Sequence, residues 1–238
     1  MFRDELSTAA KSFGLALDDG QLDAFEKFFR LVVEQNRTMN LTTLTEPHDF
    51  AVKHVIDSLS AWDDELFRGD ETLVDVGTGA GFPGLALKIF RPRLKLCLID
   101  SLNKRVEFLK RVVNRLALDD VEIFHGRAEE LARQKTFREQ FEIVTSRAVA
   151  RLNVLAEYCL PFATVGGKFV ALKGKSFREE LDEARAAIKI LGGGNIVVRE
   201  PKLPTIDEAR AVIYVDKKFP TPQKFPRREN LIRNVQLK

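Results

Sequence analysis

The chain has 238 residues, 45% of them hydrophobic and 31% charged, with a formal net charge of +3. That composition suits a globular protein with a sizeable core, and the length allows one large α/β domain with a small appendage. No run of about 18 apolar residues occurs, and the N-terminal stretch MFRDELSTAAKSFG carries acids and lacks an apolar signal core, so a cytoplasmic protein is expected.

Residues 1–68 read as a helical cap. Asp18 and Asp19 offer N-caps for a helix whose apolar positions Leu22, Phe25, Phe28, Phe29, Val32 and Val33 recur at three-to-four spacing. The polar run Asn36-Arg37-Thr38-Met39-Asn40-Leu41-Thr42 breaks that pattern. A second start follows at Thr45-Glu46-Pro47, with Phe50, Val52, Val55, Ile56 and Leu59 apolar. His54 and Asp57, three apart, share a face there. Either a substrate-facing pair or an interhelical hydrogen bond accounts for them. Residues 67–71 form the junction with the next domain, predicted over 69–218.

That domain opens on TLVDVGTGAGFPGLAL, residues 72–87. An apolar run, Leu73-Val74-Asp75-Val76, meets four glycines in eight residues (Gly77, Gly79, Gly81, Gly84) and then a helical pattern. Glycines permit positive φ and close approach of a ligand to the backbone, and Pro83 suits a first helical turn. A strand, a tight turn and a helix start are predicted, with a nucleotide-type pocket at the strand's end. The segment from Gly79 to Gly84 satisfies G-x-G-x-x-G, a dinucleotide fingerprint. Asp75 argues against a dinucleotide, because a carboxylate two residues before the first glycine repels pyrophosphate. S-adenosylmethionine has no phosphate and carries an ammonium and a sulfonium, so the acid favours that cofactor.

From there strands and helices alternate, which predicts a mostly parallel sheet. A second strand, Lys95 to Ile99, ends at Asp100, placed to accept ribose hydroxyls or to cap the helix Asn103 to Leu116. That helix has a basic face. Val121 to Phe124 is a third strand, whose following turn, with Ala128 and Glu129, passes beneath an adenine. Phe141 to Val144 is a fourth, leading to Arg147 at the carboxyl edge where open sheets bind ligands. Arg147 can position cofactor or substrate, or make a structural ion pair. A helix Leu152 to Phe162, a strand Gly167 to Leu172 ending at Lys173, and a helix capped by Ser176 follow. The link between the last strands, Asn195 to Arg199 and Ala209 to Val215, is too short for a helical crossover. It predicts an antiparallel closing hairpin. The two cysteines, Cys97 and Cys159, lack metal-ligand spacing and read as small buried hydrophobes, and no metal is expected. From Lys217 onward seven cations face a single acid, Glu229. This basic tail, residues 219–238, reads equally as a phosphate-binding arm and as a solvated end.

Several segments together resemble the bacterial RsmG proteins, also called glucose-inhibited division protein B. They are Asn36-Arg37 with Asn40-Leu41-Thr42, His54 with Asp57-Ser58-Leu59, Asp75 to Gly84, Asp100-Ser101 with Lys104-Arg105, Arg127 to Glu130, Ser146-Arg147-Ala148 and Leu172-Lys173-Gly174. The resemblance implies a class I methyltransferase fold, a Rossmann-like seven-stranded sheet with an antiparallel closing hairpin and an N-terminal helical cap. It also implies methylation of guanine N7 in small-subunit (16S) rRNA. Its cofactor residues fall on Gly77, Phe82, Ala128, Glu129 and Arg147. Relatives often follow a Pro-Arg-Arg with Gly-x-Pro-x-Lys-x-Pro. Here Pro226-Arg227-Arg228 keeps the first part and Glu229 to Asn234 replaces the second.

Guanine N7 has a lone pair and no proton, so no general acid or base is expected. Cofactor contacts are expected from Asp75, Gly77, Gly79, Phe82, Asp100, Ala128, Glu129 and Arg147, and RNA contacts from Arg37, Lys173, Arg227 and Arg228. The expected partner is small-subunit rRNA or a ribosomal particle, bound by a monomer. A nicotinamide-dependent oxidoreductase and a non-catalytic RNA-binding ribosome-assembly factor are the alternatives.

Overall fold

The computed structural model describes residues 1–237. Helices α1 (Phe2–Phe13) and α2 (Asp19–Met39) open the chain, and Asp18 caps α2 by accepting from the Gln21 N–H at 2.8 Å. The helix runs through Asn36 and Arg37, beyond the predicted break. It ends where Asn40 turns left-handed at φ 49°, a conformation that asparagine tolerates. One continuous helical rod follows: α3 (Pro47–Phe50), a π-helical stretch over Ala51–Ile56, and α4 (Asp57–Leu59). No helix among the described residues is long and apolar enough to cross a membrane.

The sheet is built from β1 (Thr72–Val76), β2 (Lys95–Asp100), β3 (Val121–His125), β4 (Phe141–Arg147), β5 (Ala163–Lys173), β6 (Gly193–Arg199) and β7 (Ala211–Lys217), in the order β3-β2-β1-β4-β5-β7-β6. The first five run parallel, and β7 is antiparallel to both β5 and β6. The closing hairpin thus folds back to insert β7 beside β5, leaving β6 at the edge. Five helices fill the connections: α5 (Gly84–Phe90), α6 (Asn103–Leu116), α7 (Ala128–Leu131), α8 (Leu152–Cys159) and α9 (Phe177–Ile190), with α10 (Glu229–Asn234) last. Both β4 and β5 exceed their predicted lengths, since polar Thr145 and Ser146 continue β4 with their hydroxyls bonded to the carbonyls of Val170 and Val76. The predicted helix Leu152 to Phe162 tightens into a 3-10 turn at Leu160–Phe162. Ser176 stands at the N-cap of α9 without a side-chain cap bond.

Strand alternation divides the core into two layers. Leu73, Leu96, Leu98 and Ile143 face one side, with α5, α6 and the cap; Val74, Val76, Cys97, Ile99 and Val144 face the other, with α8 and α9. The cap shares the first layer instead of owning a core. Phe2 stacks on Phe29 at 4.4 Å between ring centroids, Phe50 meets both rings edge-on, and Phe82 of the glycine turn packs at 5.0 Å from Phe28. An aromatic wedge therefore ties the cap to the turn.

The C-terminal segment is no solvated tail. Phe225 and Ile232 are buried in the second layer, and the Arg138 guanidinium donates to the Thr221 carbonyl at 2.7 Å and the Phe225 carbonyl at 2.8 Å. Its basic residues concealed this, because the apolar anchors Phe225, Pro226 and Ile232 are scattered among them.

Candidate cofactor and substrate site

The glycine turn sits at the carboxyl end of β1. Gly77 and Thr78 N–H groups donate to the Ile99 carbonyl at 2.9 and 3.1 Å, which folds the turn over β2. Gly77 has φ 72°, and a Cβ there would lie 2.5 Å from Val149 Cγ2. Gly84 is required for a different reason: a Cβ would meet Asp75 Cβ and Leu98 Cδ2, each at 2.8 Å, so α5 could not lie so close to the sheet.

Asp75, in the central strand, has no exposed surface. Its Oδ2 accepts from the Gly84 N–H at 2.9 Å, at the start of α5, and its Oδ1 has no hydrogen-bond partner. Burial pushes this carboxyl up to about 6. An unpartnered carboxylate oxygen beneath the turn favours a cation above it and disfavours a phosphate, so the turn fits S-adenosylmethionine. Asp100 closes the turn from β2. Its Oδ2 accepts from the Gly79 N–H and its Oδ1 from the Leu102 N–H, both at 2.9 Å, with Arg105 at 3.5 Å. It thus supports the loop and the start of α6 together, although Leu102 is the N-cap.

Two depressions meet here. The first is lined by Gly77, Asp100, Ala128, Glu129, Val149 and Glu229, among others. It gathers four of the eight predicted cofactor residues, Gly77, Asp100, Ala128 and Glu129, whereas Arg147 lines the second depression and Asp75, Gly79 and Phe82 line neither. Burial pushes the Glu129 carboxyl up. The second is a cleft of about 500 Å³ lined by residues including Lys53, His54, Asp57, Arg147, Lys173 and Arg210. The segment Arg147-Ala148-Val149, which leaves β4 with Ala148 at φ 57°, is their common wall: Arg147 and Ala148 face the cleft and Val149 the first depression.

Arg147 is held on several sides. It donates to Asp57 Oδ2 at 2.8 Å, to the Lys53 carbonyl at 3.2 Å and to His54 Nδ1 at 3.0 Å, and lies 5.1 Å from the Phe82 ring centroid. A guanidinium only donates, so Nδ1 is the acceptor and His54 Nε2 carries the proton toward Thr42 Oγ1 at 2.8 Å. Burial first, and then the Arg147 charge, lowers His54 to about 3, so the ring is neutral. Phe82 stacks on that ring at 4.7 Å. Its side chain therefore supports the Arg147 network from the aromatic wedge, and does not line the first depression.

The predicted RNA contacts divide in two. Arg37 and Arg228 are exposed. Lys173 and Arg227 are engaged inside the protein instead: Lys173 Nζ reaches Glu180 at 2.6 Å and the Ala150 carbonyl at 2.8 Å, and Arg227 forks onto Glu157, whose carboxylate is only 1% exposed. Glu157 lies 70 positions from Arg227, which hid that pair from a linear reading, whereas Glu180 is on the helix that directly follows Lys173. Beyond the strand ends and the turn after β3, the first depression is also lined by Val149, Tyr158, Glu229 and Arg233, which were not predicted. Val149 was within reach, two residues past Arg147. The other three carry no local signal.

Residues 21–204 match the family model described as rRNA small subunit methyltransferase G. The chain belongs to that family. It is 45% identical over 223 residues to a ribosomal RNA small subunit methyltransferase G of Alkaliphilus metalliredigens, covering 94% of this chain and 93% of that one. It is 48% identical over 228 residues to the protein of the same description from Exiguobacterium sibiricum, covering 96% of each. In fold the methyltransferase resembles P. horikoshii TYW2 in complex with MeSAdo, with a TM-score of 0.53 and 15% identity over 69% of this chain and 63% of that one. A predicted O-methyltransferase from Agrobacterium tumefaciens gives a TM-score of 0.51 at 20% identity, covering 68% and 78%. The fold is therefore that of class I methyltransferases, and the activity is that of an S-adenosylmethionine-dependent rRNA methyltransferase.

Proposed function

We propose that this chain methylates N7 of a guanine in small-subunit rRNA, acting as a cytoplasmic monomer on the RNA or on a ribosomal particle. The observation that carries this reading is the common wall Arg147-Ala148-Val149, which sets the depression at the glycine turn beside a larger basic cleft. In this reading residues 1–68 act as a cap that shapes the cleft and residues 69–218 hold the cofactor. Gly77, Gly79, Asp100, Ala128 and Glu129 hold the nucleoside end, and Asp75 supplies charge beneath the turn. S-adenosylmethionine, when bound, supplies an electrophilic methyl group on a sulfonium.

Nothing in the cleft needs to remove a proton from guanine N7. His54 is neutral and both its ring nitrogens are committed, to Arg147 and Thr42, so it serves to orient the guanidinium. Arg147, fixed by Asp57, His54 and the Phe82 ring, orients the acceptor base; positioning and a pre-arranged field supply the rate. N7 lies in the deep major groove of paired RNA, beyond side-chain reach, so the target base must be unstacked. The cleft volume suits one extruded base. Exposed Arg37 and Arg228 are the cations proposed to meet phosphate.

The test is methyl transfer from labelled S-adenosylmethionine to small-subunit rRNA and its particles, with the product nucleoside identified by mass spectrometry. N7-methylguanosine at one position, with the rate lowered at least about a hundredfold in Arg147→Ala, is the expected result. Label on another atom would move the acceptor, and no label on any RNA or particle would sink the reading.

A further inference from the structure

Residues 205–237 lie beyond the match to the family model, and within them α10 crosses the nucleoside depression. Glu229 and Arg233, one turn apart on α10, both line that depression alongside Gly77, Asp100, Ala128 and Glu129. Glu229 is bonded at both of its oxygens. Oε2 takes Arg127, in the turn after β3, and Oε1 takes Arg233 at 3.0 Å. Arg233 in turn sits beside the Tyr158 hydroxyl of α8, another lining residue.

The strap leading to α10 is anchored independently of these contacts. Arg227 is paired with buried Glu157, Arg133 donates to the Pro226 carbonyl, and Ile232 is 1% exposed. Helix α10 is thus held on one side by apolar burial and on the other by ion pairs and the Arg233 contact with Tyr158. Those pairs are partly solvent-exposed, with the Arg127 side chain at 50% and the Glu229 side chain at 30%. Partly exposed pairs are worth little to the fold, and they open at small cost. All three residues, Arg127, Glu229 and Arg233, line the depression.

We propose that α10 is a latched wall of the cofactor site, with Glu229 as the positioning residue that closes it onto the Arg127 turn and so retains the adenosine moiety of S-adenosylmethionine. This rests on the methyltransferase reading above. Opening the Glu229–Arg127 pair releases bound nucleoside; closing it buries the ligand's adenosine end between the turn after β3 and α10.

The test uses the full chain and measures the affinity and dissociation rate of S-adenosylhomocysteine, and the affinity of adenosine alone, for wild type, Glu229→Gln, Arg127→Ala, the double variant and Arg233→Ala. Glu229→Gln should dissociate about tenfold faster, with an unchanged ligand-free melting temperature. Adenosine alone should weaken by the same factor, because α10 touches the nucleoside end. The double variant should be no worse than the stronger single change, showing that the two residues act as one latch. Arg233→Ala, altering an exposed side chain, keeps the test decisive if Glu229→Gln melts early. Wild-type binding with variant affinities and off-rates within twofold would overturn the latch alone. Failure of the wild type to bind S-adenosylhomocysteine would overturn both the latch and the methyltransferase reading.

Discussion

Asp75 shows how one side chain can oppose the fold it occupies. Its carboxyl, pushed up to about 6 against an ordinary 3.8, is protonated in the folded chain between those values and must carry a buried charge above them. Stability contributed by this group is therefore lost as pH rises through about 6. Asp75→Asn keeps an oxygen for the Gly84 N–H and removes that charge. The variant is expected to melt higher than wild type at pH 7 without ligand, yet to bind S-adenosylmethionine about tenfold or more weakly. A melt combined with calorimetric binding checks both halves; equal affinity would show that the buried charge does not serve the ligand. His54 has the opposite sign. Folded it titrates at about 3 and unfolded at about 6.5, so below about 6.5 the unfolded chain takes up the proton first. Stability should fall by about 1.4 kcal/mol per pH unit on this account as pH drops toward 3, and His54→Gln should flatten that acid limb in urea titrations.

At the scale of elements, the turn between β1 and α5 works because α5 approaches the sheet at Gly84 and the β4 exit approaches at Gly77. Two alanine substitutions separate these roles. Gly84→Ala pushes a methyl group into Asp75 and Leu98 in the core, and should destabilise by about 1–3 kcal/mol. Gly77→Ala meets only the side chain of Val149, which is 40% exposed, but at φ 72°; its larger effect should be on cofactor affinity. Denaturant melts and binding isotherms on both variants would tell packing from ligand approach. Equal losses of stability would show that the turn is a packing device alone. The strand, the turn and the helix start were all legible, since apolar runs and glycine spacing are local signals. The length of β4 was not, because Thr145 and Ser146 look polar until β5 and β1 supply carbonyls for their hydroxyls.

For the whole molecule, the distribution of charge matters more than the net +3. Arg227 and Arg37 make the contrast testable. Arg227→Ala leaves the buried Glu157 carboxylate without its guanidinium and should cost about 3–5 kcal/mol of stability. Arg37→Ala and Arg228→Ala should leave the melt unchanged and reduce the salt slope of rRNA binding by about one each. An unchanged slope in both would remove those two cations from the RNA interface, and an unchanged melt in Arg227→Ala would mean that Glu157 finds water instead.

Periodicity, glycine spacing and the acids at strand ends were enough to determine a mostly parallel sheet, a closing hairpin, a helical cap and S-adenosylmethionine as the cofactor. These are short-range signals, carried by residues within one turn or one strand of each other. The tertiary structure alone decided which cations are free and what completes the site. Lys173 and Arg227 looked like RNA contacts until Glu180 and Glu157 neutralised them, and the basic tail read equally as a phosphate-binding arm and as a solvated end until Phe225 and Ile232 entered the core. His54 and Asp57 became a clamp only when β4 brought Arg147 between them, 93 and 90 positions along the chain. Pairing energies between distant residues depend on desolvation and geometry, and a linear sequence specifies neither until the chain has closed on itself.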